Sequence, residues 1–132
     1  MSYLSPWIIA LVGVAGGVGA VLRLFAAQWN AKLPWGILAA NVLASGVVGF
    51  TANFFAVEVA ADSDLMLWAS IGAVVVVGFA GGLSTFSSYA AQTVEFFRRG
   101  RIAQGLINTA LNLLITPLAV WLGALAALAL LK

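Results

Sequence analysis

Four apolar runs, each long enough to cross a lipid bilayer, follow one another in this chain with little between them. A helix spans the hydrocarbon core with about 20 mostly apolar residues. Runs of that length cover roughly residues 6–29, 34–57, 65–97 and 102–131. The linkers "NAKLP", "EVAADSD" and "RRGR" hold Lys32, Glu58, Asp62, Asp64, Arg98, Arg99 and Arg101; the remaining charges are Arg23, Glu95 and Lys132. Only 8% of the residues are charged and 64% are hydrophobic, where a soluble domain carries about 25% charged residues. So few charges cannot solvate a surface. The sequence predicts an all-α integral membrane protein with four transmembrane helices, forming one domain over residues 1–132 and lying in a cell membrane as a multi-pass protein. The opening stretch "MSYLSPWIIALVGVAGGVGAVL" lacks the basic start of a signal peptide, and its apolar run is too long for one. It reads as the first crossing.

The third run is longer than a crossing needs. About 33 residues at ~1.5 Å each would make ~50 Å of helix, against a core of ~30 Å. Near its middle lies "GFAGGLSTFSSY", residues Gly78 to Tyr89, dense in glycine and hydroxyl side chains. A break in the third helix near the midplane is expected there. Non-helical backbone survives at that depth only when protein covers it or it lines a cavity, and interrupted helices at the midplane often build ion sites. The competing reading is that the glycines only let helices pack closely.

With four crossings, the first and third linkers share one side. That side holds Lys32, Arg98, Arg99 and Arg101; the other holds Lys132 and the acidic linker. A chain of fixed orientation would keep the basic side in the cytoplasm and both termini outside. Four helices make a thin bundle. Small residues line the first two of them, Gly13, Gly17 and Ala20, then Ala40, Ser45 and Gly49, and such spacing lets backbones approach. An oligomer is expected, most simply a dimer, unless these faces pack within one chain.

The chain has no Cys and no His, so disulfides, Cys or His metal sites and histidine proton shuttling are excluded. The net charge of +2 is too small to point to nucleic acid. No nucleophile with a base, phosphate loop or carboxylate pair marks an enzyme. Arg23 is the one basic residue inside a run; it either snorkels to the interface or serves as a vestibule charge for anions. The polar chemistry is otherwise neutral. Asn41 lies early in the second run. Asn108, Asn112 and Thr116 recur every four residues, on one face of the fourth helix. Ser84, Thr85, Ser87 and Ser88 crowd the expected break. Amides and hydroxyls donate hydrogen bonds without a fixed charge, which suits a small anion that must be held and released. The alternative role is hydrogen-bond glue between helices. Phe86 and Tyr89, three apart, share a helix face, and the electropositive edges of their rings can meet an anion.

Taken in order and spacing, "GGVGAVLR" (Gly16 to Arg23), "NVLASGVVG" (Asn41 to Gly49) and "GFAGGLSTFSSY" resemble the three signatures of the Fluc (CrcB) fluoride channel family. The resemblance covers nearly the whole chain. It implies a fluoride-selective channel that exports F⁻ passively, assembled as a dual-topology antiparallel dimer with two pores flanking the interface and a structural Na⁺ at its centre. It places the Na⁺ on the backbone carbonyls of Gly81 and Ser84 from both subunits. Phe86 and Tyr89 match the aromatic "Phe box", Asn41 the pore asparagine, Asn108 and Asn112 the polar track, and Arg23 the arginine of the first motif. The chain departs from the pattern with "STFSSY" for "TTFSTF", with Gln92 for a glutamate and with Asn112 for a serine. The surplus of basic residues on one side leaves a second arrangement, in which this chain is one subunit of a two-chain channel. A small multidrug-type exporter would need a mid-membrane carboxylate in the first helix, which holds none. A membrane subunit that transports nothing would leave the helix break without a purpose.

Overall fold

A computed structural model describes residues 5–29, 31–61 and 65–131, with backbone alone for 57–61 and for 65 and 66. The expectations resting on the side chains of Glu58, Asp62, Asp64 and Lys132 fall outside the described residues. Among the described residues, five helices make four spans: α1 (Pro6–Ala27), α2 (Trp35–Ala61), α3 (residues 65–83), α4 (Phe86–Arg98) and α5 (Ile102–Leu130). There is no strand among the described residues. The third span, Leu67–Arg98, is α3 and α4 together, and with the other three it is long and apolar enough to cross a membrane.

The break is narrow. Ser84 (φ −76°, ψ 153°) and Thr85 (φ −155°, ψ 117°) are extended, and helix resumes at Phe86. The glycine half of "GFAGGLSTFSSY" stays helical. Ahead of it, α3 widens into π turns over Ala73–Ala80 and returns to α over Gly81–Leu83. π turns inside helices recur at functional sites.

Those glycines do the close packing. A Cβ on Gly82 would collide with the Gly16 carbonyl, one on Gly19 with the Phe79 carbonyl, and one on Gly78 would lie 2.8 Å from the Val12 carbonyl. So α1 and α3 touch backbone to backbone. A second such crossing joins α2 to α5, through Gly49 against the Val120 carbonyl and Gly123 against the Gly46 carbonyl. The small-residue faces read from the sequence are therefore divided. Gly49 and the buried Ala40 pack within the chain, while Gly13 and Gly17 face open space.

One tight turn sets the course of the last span. At the end of α4, Gly100 takes φ +70°, where side chains are disfavoured. Its N–H donates to the Phe97 carbonyl and that of Arg101 to Phe96, closing a Schellman motif. The chain reverses and α5 runs back along α4. Arg101 stacks on the Phe96 ring and donates from Nη2 to the Lys32 carbonyl at 3.3 Å. The first and third linkers thus lie at one end, as expected. Inside α5, Pro117 has no N–H for the Leu113 carbonyl one turn back; the neighbouring Thr116 hydroxyl donates to the Asn112 carbonyl.

Burial follows membrane logic. The buried apolar residues are few and mostly small, whereas Asn41, Thr51, Thr85, Thr93, Asn108 and Asn112 are all buried polar residues. Large apolar side chains such as Trp7, Leu24, Phe25, Leu114 and Trp121 point outward. Replacing Gly82 by Ala should prevent a monodisperse folded protein in detergent, because backbone lies on both sides of the contact. Gly13→Ala, in open space, should leave size-exclusion profile and thermal unfolding unchanged.

Candidate functional site

Five of the buried polar residues, Asn41, Thr85, Thr93, Asn108 and Asn112, form one hydrogen-bonded ladder that crosses the bundle. It begins on α4, where Thr93 Oγ1 donates to the Tyr89 carbonyl and accepts from Asn108 Nδ2 at 2.9 Å. Asn112 Nδ2 donates to the Asn108 carbonyl at 3.0 Å and lies 3.4 Å from Asn108 Oδ1. Asn112 Oδ1 accepts from Asn41 Nδ2 at 3.0 Å. Asn41 then meets the break: its Oδ1 accepts from the Thr85 N–H at 2.8 Å, and its Nδ2 lies 3.3 Å from the Thr85 carbonyl. Buried polar groups at this depth need such partners, since lipid offers none.

The break is also capped from within. Thr85 Oγ1 accepts from the Ser88 N–H at 3.2 Å, the N-cap bond of α4. The hydroxyls of Ser87 and Ser88 gather on the same oxygen, at 3.1 and 3.2 Å. From α1, Arg23 Nη1 reaches the Ser84 carbonyl at 3.4 Å.

Beside the ladder lies a cavity of about 260 Å³ lined by Asn41, Ser45, Ser84, Thr85, Phe86, Tyr89, Asn112, Leu113 and Thr116. No lining residue is charged. The Phe86 and Tyr89 rings form its aromatic side, edge to face with centroids 5.4 Å apart. The Tyr89 hydroxyl points past the cavity to Thr109 Oγ1 at 3.4 Å. The first turn of α4 forms part of the wall, so the positive end of its peptide dipoles faces the space. Nearer the basic end, a cavity of about 430 Å³ is lined in part by Gln92, Glu95, Arg99 and Arg101. Glu95 pairs with both Arg98 and Arg99 there.

The structure thus brings together Asn41, Ser84, Phe86, Tyr89 and Asn112 of the residues singled out from the sequence. Asn108 sits one turn along α5, bonded to Thr93. Ser87 is exposed and Ser88 half-buried, both on the cap. Gly81 is exposed on the outer side of the break, and Arg23 is half-buried. Sequence reasoning missed Thr93 and treated Ser45 as a packing residue. Thr93 had a signal: Thr85, Tyr89 and Thr93 recur every four residues, as Asn108, Asn112 and Thr116 do on the antiparallel partner helix.

Over residues 10–124 the sequence matches the family described as CrcB-like protein, Camphor Resistance (CrcB). The chain belongs to the CrcB family. It is 34% identical over 118 residues to the fluoride-specific ion channel FluC of Rhizobium leguminosarum bv. trifolii (strain WSM2304), covering 86% of this chain and 90% of that one. It is 36% identical over 124 residues to the FluC of Opitutus terrae (strain DSM 11246 / JCM 15787 / PB90-1), covering 92% and 91%. Membership of this family of channels sets the chain apart from enzymes and agrees with its four spans.

Proposed function

We propose that this protein is a fluoride-selective channel that lets F⁻ leave the cytoplasm passively. The observation that carries the reading is the uncharged polar cavity at the helix break, with an aromatic pair on one wall and amides and hydroxyls on the other. F⁻ is small and strongly hydrated, so a pore must replace its water with several donors. Amides, hydroxyls, ring edges and a helix start supply these without a full positive charge, which would trap the ion. Both Asn41 Nδ2 hydrogens are already placed, one on the Thr85 carbonyl and one on Asn112 Oδ1. In this reading Asn41, Asn112 and Thr116, whose donors are already engaged, form the fixed polar wall, and the Phe86 and Tyr89 edges and the Ser45 hydroxyl meet the ion. Arg23 and the basic end raise the local anion concentration outside the narrow path.

The antiparallel dimer belongs to the same proposal. Gly81, Phe86 and Ser87 are exposed in the single chain, Phe86 at 76%. They border a break in the middle of a span, where lipid cannot pair the backbone. A second copy of this chain in the opposite orientation covers both breaks and leaves a cavity on each side. The basic bias of one end favours a second reading, in which the opposite subunit is a related chain that inserts the other way.

A structural Na⁺ fits the groups at the break. In an unbroken helix Gly81 would receive the Thr85 N–H and Ser84 the Ser88 N–H. Here those donors go to Asn41 Oδ1 and Thr85 Oγ1. Both carbonyls are therefore released as hard oxygen ligands. Arg23 donates to the Ser84 carbonyl, which keeps a second lone pair. A bound Na⁺ would supply positive charge tying two breaks together; conduction through the cavity uses the chain's own groups.

Purified protein in liposomes should release F⁻ to a fluoride electrode far faster than empty liposomes, and Phe86→Ile should cut the rate by about tenfold or more. No release, with or without a co-expressed related chain, would contradict the channel reading. Replacing Na⁺ by a bulky organic cation should lower the dimer fraction in detergent and the unfolding temperature. A monomer at every Na⁺ concentration would contradict the dimer, and a dimer indifferent to Na⁺ would contradict the cation.

A further inference from the structure

We infer that Asn41 is a positioning residue that decides where the third span breaks, over and above any contact it makes with an ion. The inference stands on hydrogen bonds alone and does not depend on which ion passes. Asn41 engages both polar backbone groups of one residue: Thr85 N–H to Oδ1 at 2.8 Å, and Nδ2 to the Thr85 carbonyl at 3.3 Å. An extended residue points its own N–H and C=O to the same side, as along a β-strand. A helical residue points them in opposite directions along the axis. One carboxamide can therefore hold both groups only when Thr85 is extended, and Thr85 is extended at φ −155°, ψ 117°.

The clamp competes directly with helix. If Thr85 were helical, its N–H would close the i to i−4 bond to the Gly81 carbonyl, and α3 would run on toward α4. Asn41 takes that N–H and leaves the Gly81 carbonyl outside the ladder. The neighbouring Thr85 side chain does the same for Ser84, by capturing the Ser88 N–H. Two helix bonds, Thr85 N–H to Gly81 and Ser88 N–H to Ser84, are thus opposed by two bonds from Asn41 and one from the cap.

The clamp works only with the amide in one orientation. A flipped amide would put NH₂ against the Thr85 N–H. The orientation is set by Asn112 Oδ1, which accepts from Asn41 Nδ2. Asn112 is held by Asn108, and Asn108 by Thr93. The ladder from α4 and α5 is therefore the support that aims Asn41 at the break, and its distant end affects Thr85 without touching it. Asn41, Asn112, Asn108 and Thr93 are all buried, and Asn108 and Thr93 lie outside the cavity lining.

The chain has only five threonines, Thr51, Thr85, Thr93, Thr109 and Thr116. Threonine-selective ¹⁵N labelling of the full protein in lipid nanodiscs therefore gives a spectrum in which Thr85 is assigned by its loss in Thr85→Ser. Asn41→Leu should shift the Thr85 amide resonance toward helical values and change its hydrogen exchange by about tenfold or more, as the N–H leaves Asn41, with Thr51 unmoved. Asn112→Leu, which leaves Asn41 in place, should move the same resonance and keeps the test open if Asn41→Leu does not fold. Asn41→Asp keeps an oxygen for the Thr85 N–H but loses both Nδ2 bonds, and should move the Thr85 resonance in the same sense as Asn41→Leu and by less. A Thr85 amide unchanged in both leucine variants overturns the positioning role. If F⁻ release is lost in those variants while the Thr85 amide is unchanged, Asn41 acts only as pathway wall. A shifted Thr85 amide in a protein that never passes F⁻ keeps the clamp and rejects the channel.

Discussion

Backbone polar groups cannot be left unpaired in hydrocarbon, and the third span is built around that constraint. Extending two residues at Ser84–Thr85 strips the helix ladder from the turn before and the turn after. The protein answers with side chains from three other places: Asn41 on α2, Arg23 on α1, and the Thr85 hydroxyl itself. A chain of buried polar side chains leads to this point. The Asn108–Asn112 pair on α5 aims Asn41, and Thr93 on α4 anchors Asn108. The glycine crossings allow it, because α1 reaches the break only by lying against the backbone of α3 at Gly16 and Gly82.

The same arrangement separates two chemistries within a few residues. The Gly81 carbonyl, which loses its helical donor, belongs to an exposed residue, while the Ser84 carbonyl meets Arg23. The Phe86 and Tyr89 rings, with Ser84, Asn112 and Thr116, line the cavity beside the break, Phe86 from an exposed position. Released carbonyl oxygens are acceptors, while ring edges and a helix start are electropositive. The break thus sets both kinds of group within a few residues and places no formal charge in the cavity lining.

Much of this was legible in the sequence, for particular reasons. The four spans follow from run length and from the scarcity of charge between residues 6 and 29, 34 and 57, and 102 and 131. The break followed from the excess length of the third run, and the shared face of Asn108, Asn112 and Thr116 from their spacing of four. What stayed hidden was pairing across distance. Asn41 meets Thr85 44 residues away and Asn112 71 residues away, and no local pattern encodes that. The glycines of "GFAGGLSTFSSY" were divisible only in three dimensions: Gly78 and Gly82 pack against α1, and the break itself takes Ser84 and Thr85. The π turns at Ala73–Ala80 leave no compositional mark, since "AVVVVGFA" is equally an α-helical or a strand-like run. Tyr89 shows the limit of the motif itself, because its hydroxyl is tied to Thr109 on α5 and not aimed at Phe86.

In the proposed function an uncharged cavity at a clamped helix break selects fluoride. The most direct measurement is the reversal potential of currents through the reconstituted protein in a planar bilayer, with F⁻ on one side and Cl⁻ on the other. A fluoride-selective path gives a reversal potential set by the F⁻ gradient and insensitive to Cl⁻ and to the cation. Currents that reverse with the Cl⁻ or the cation gradient would contradict it.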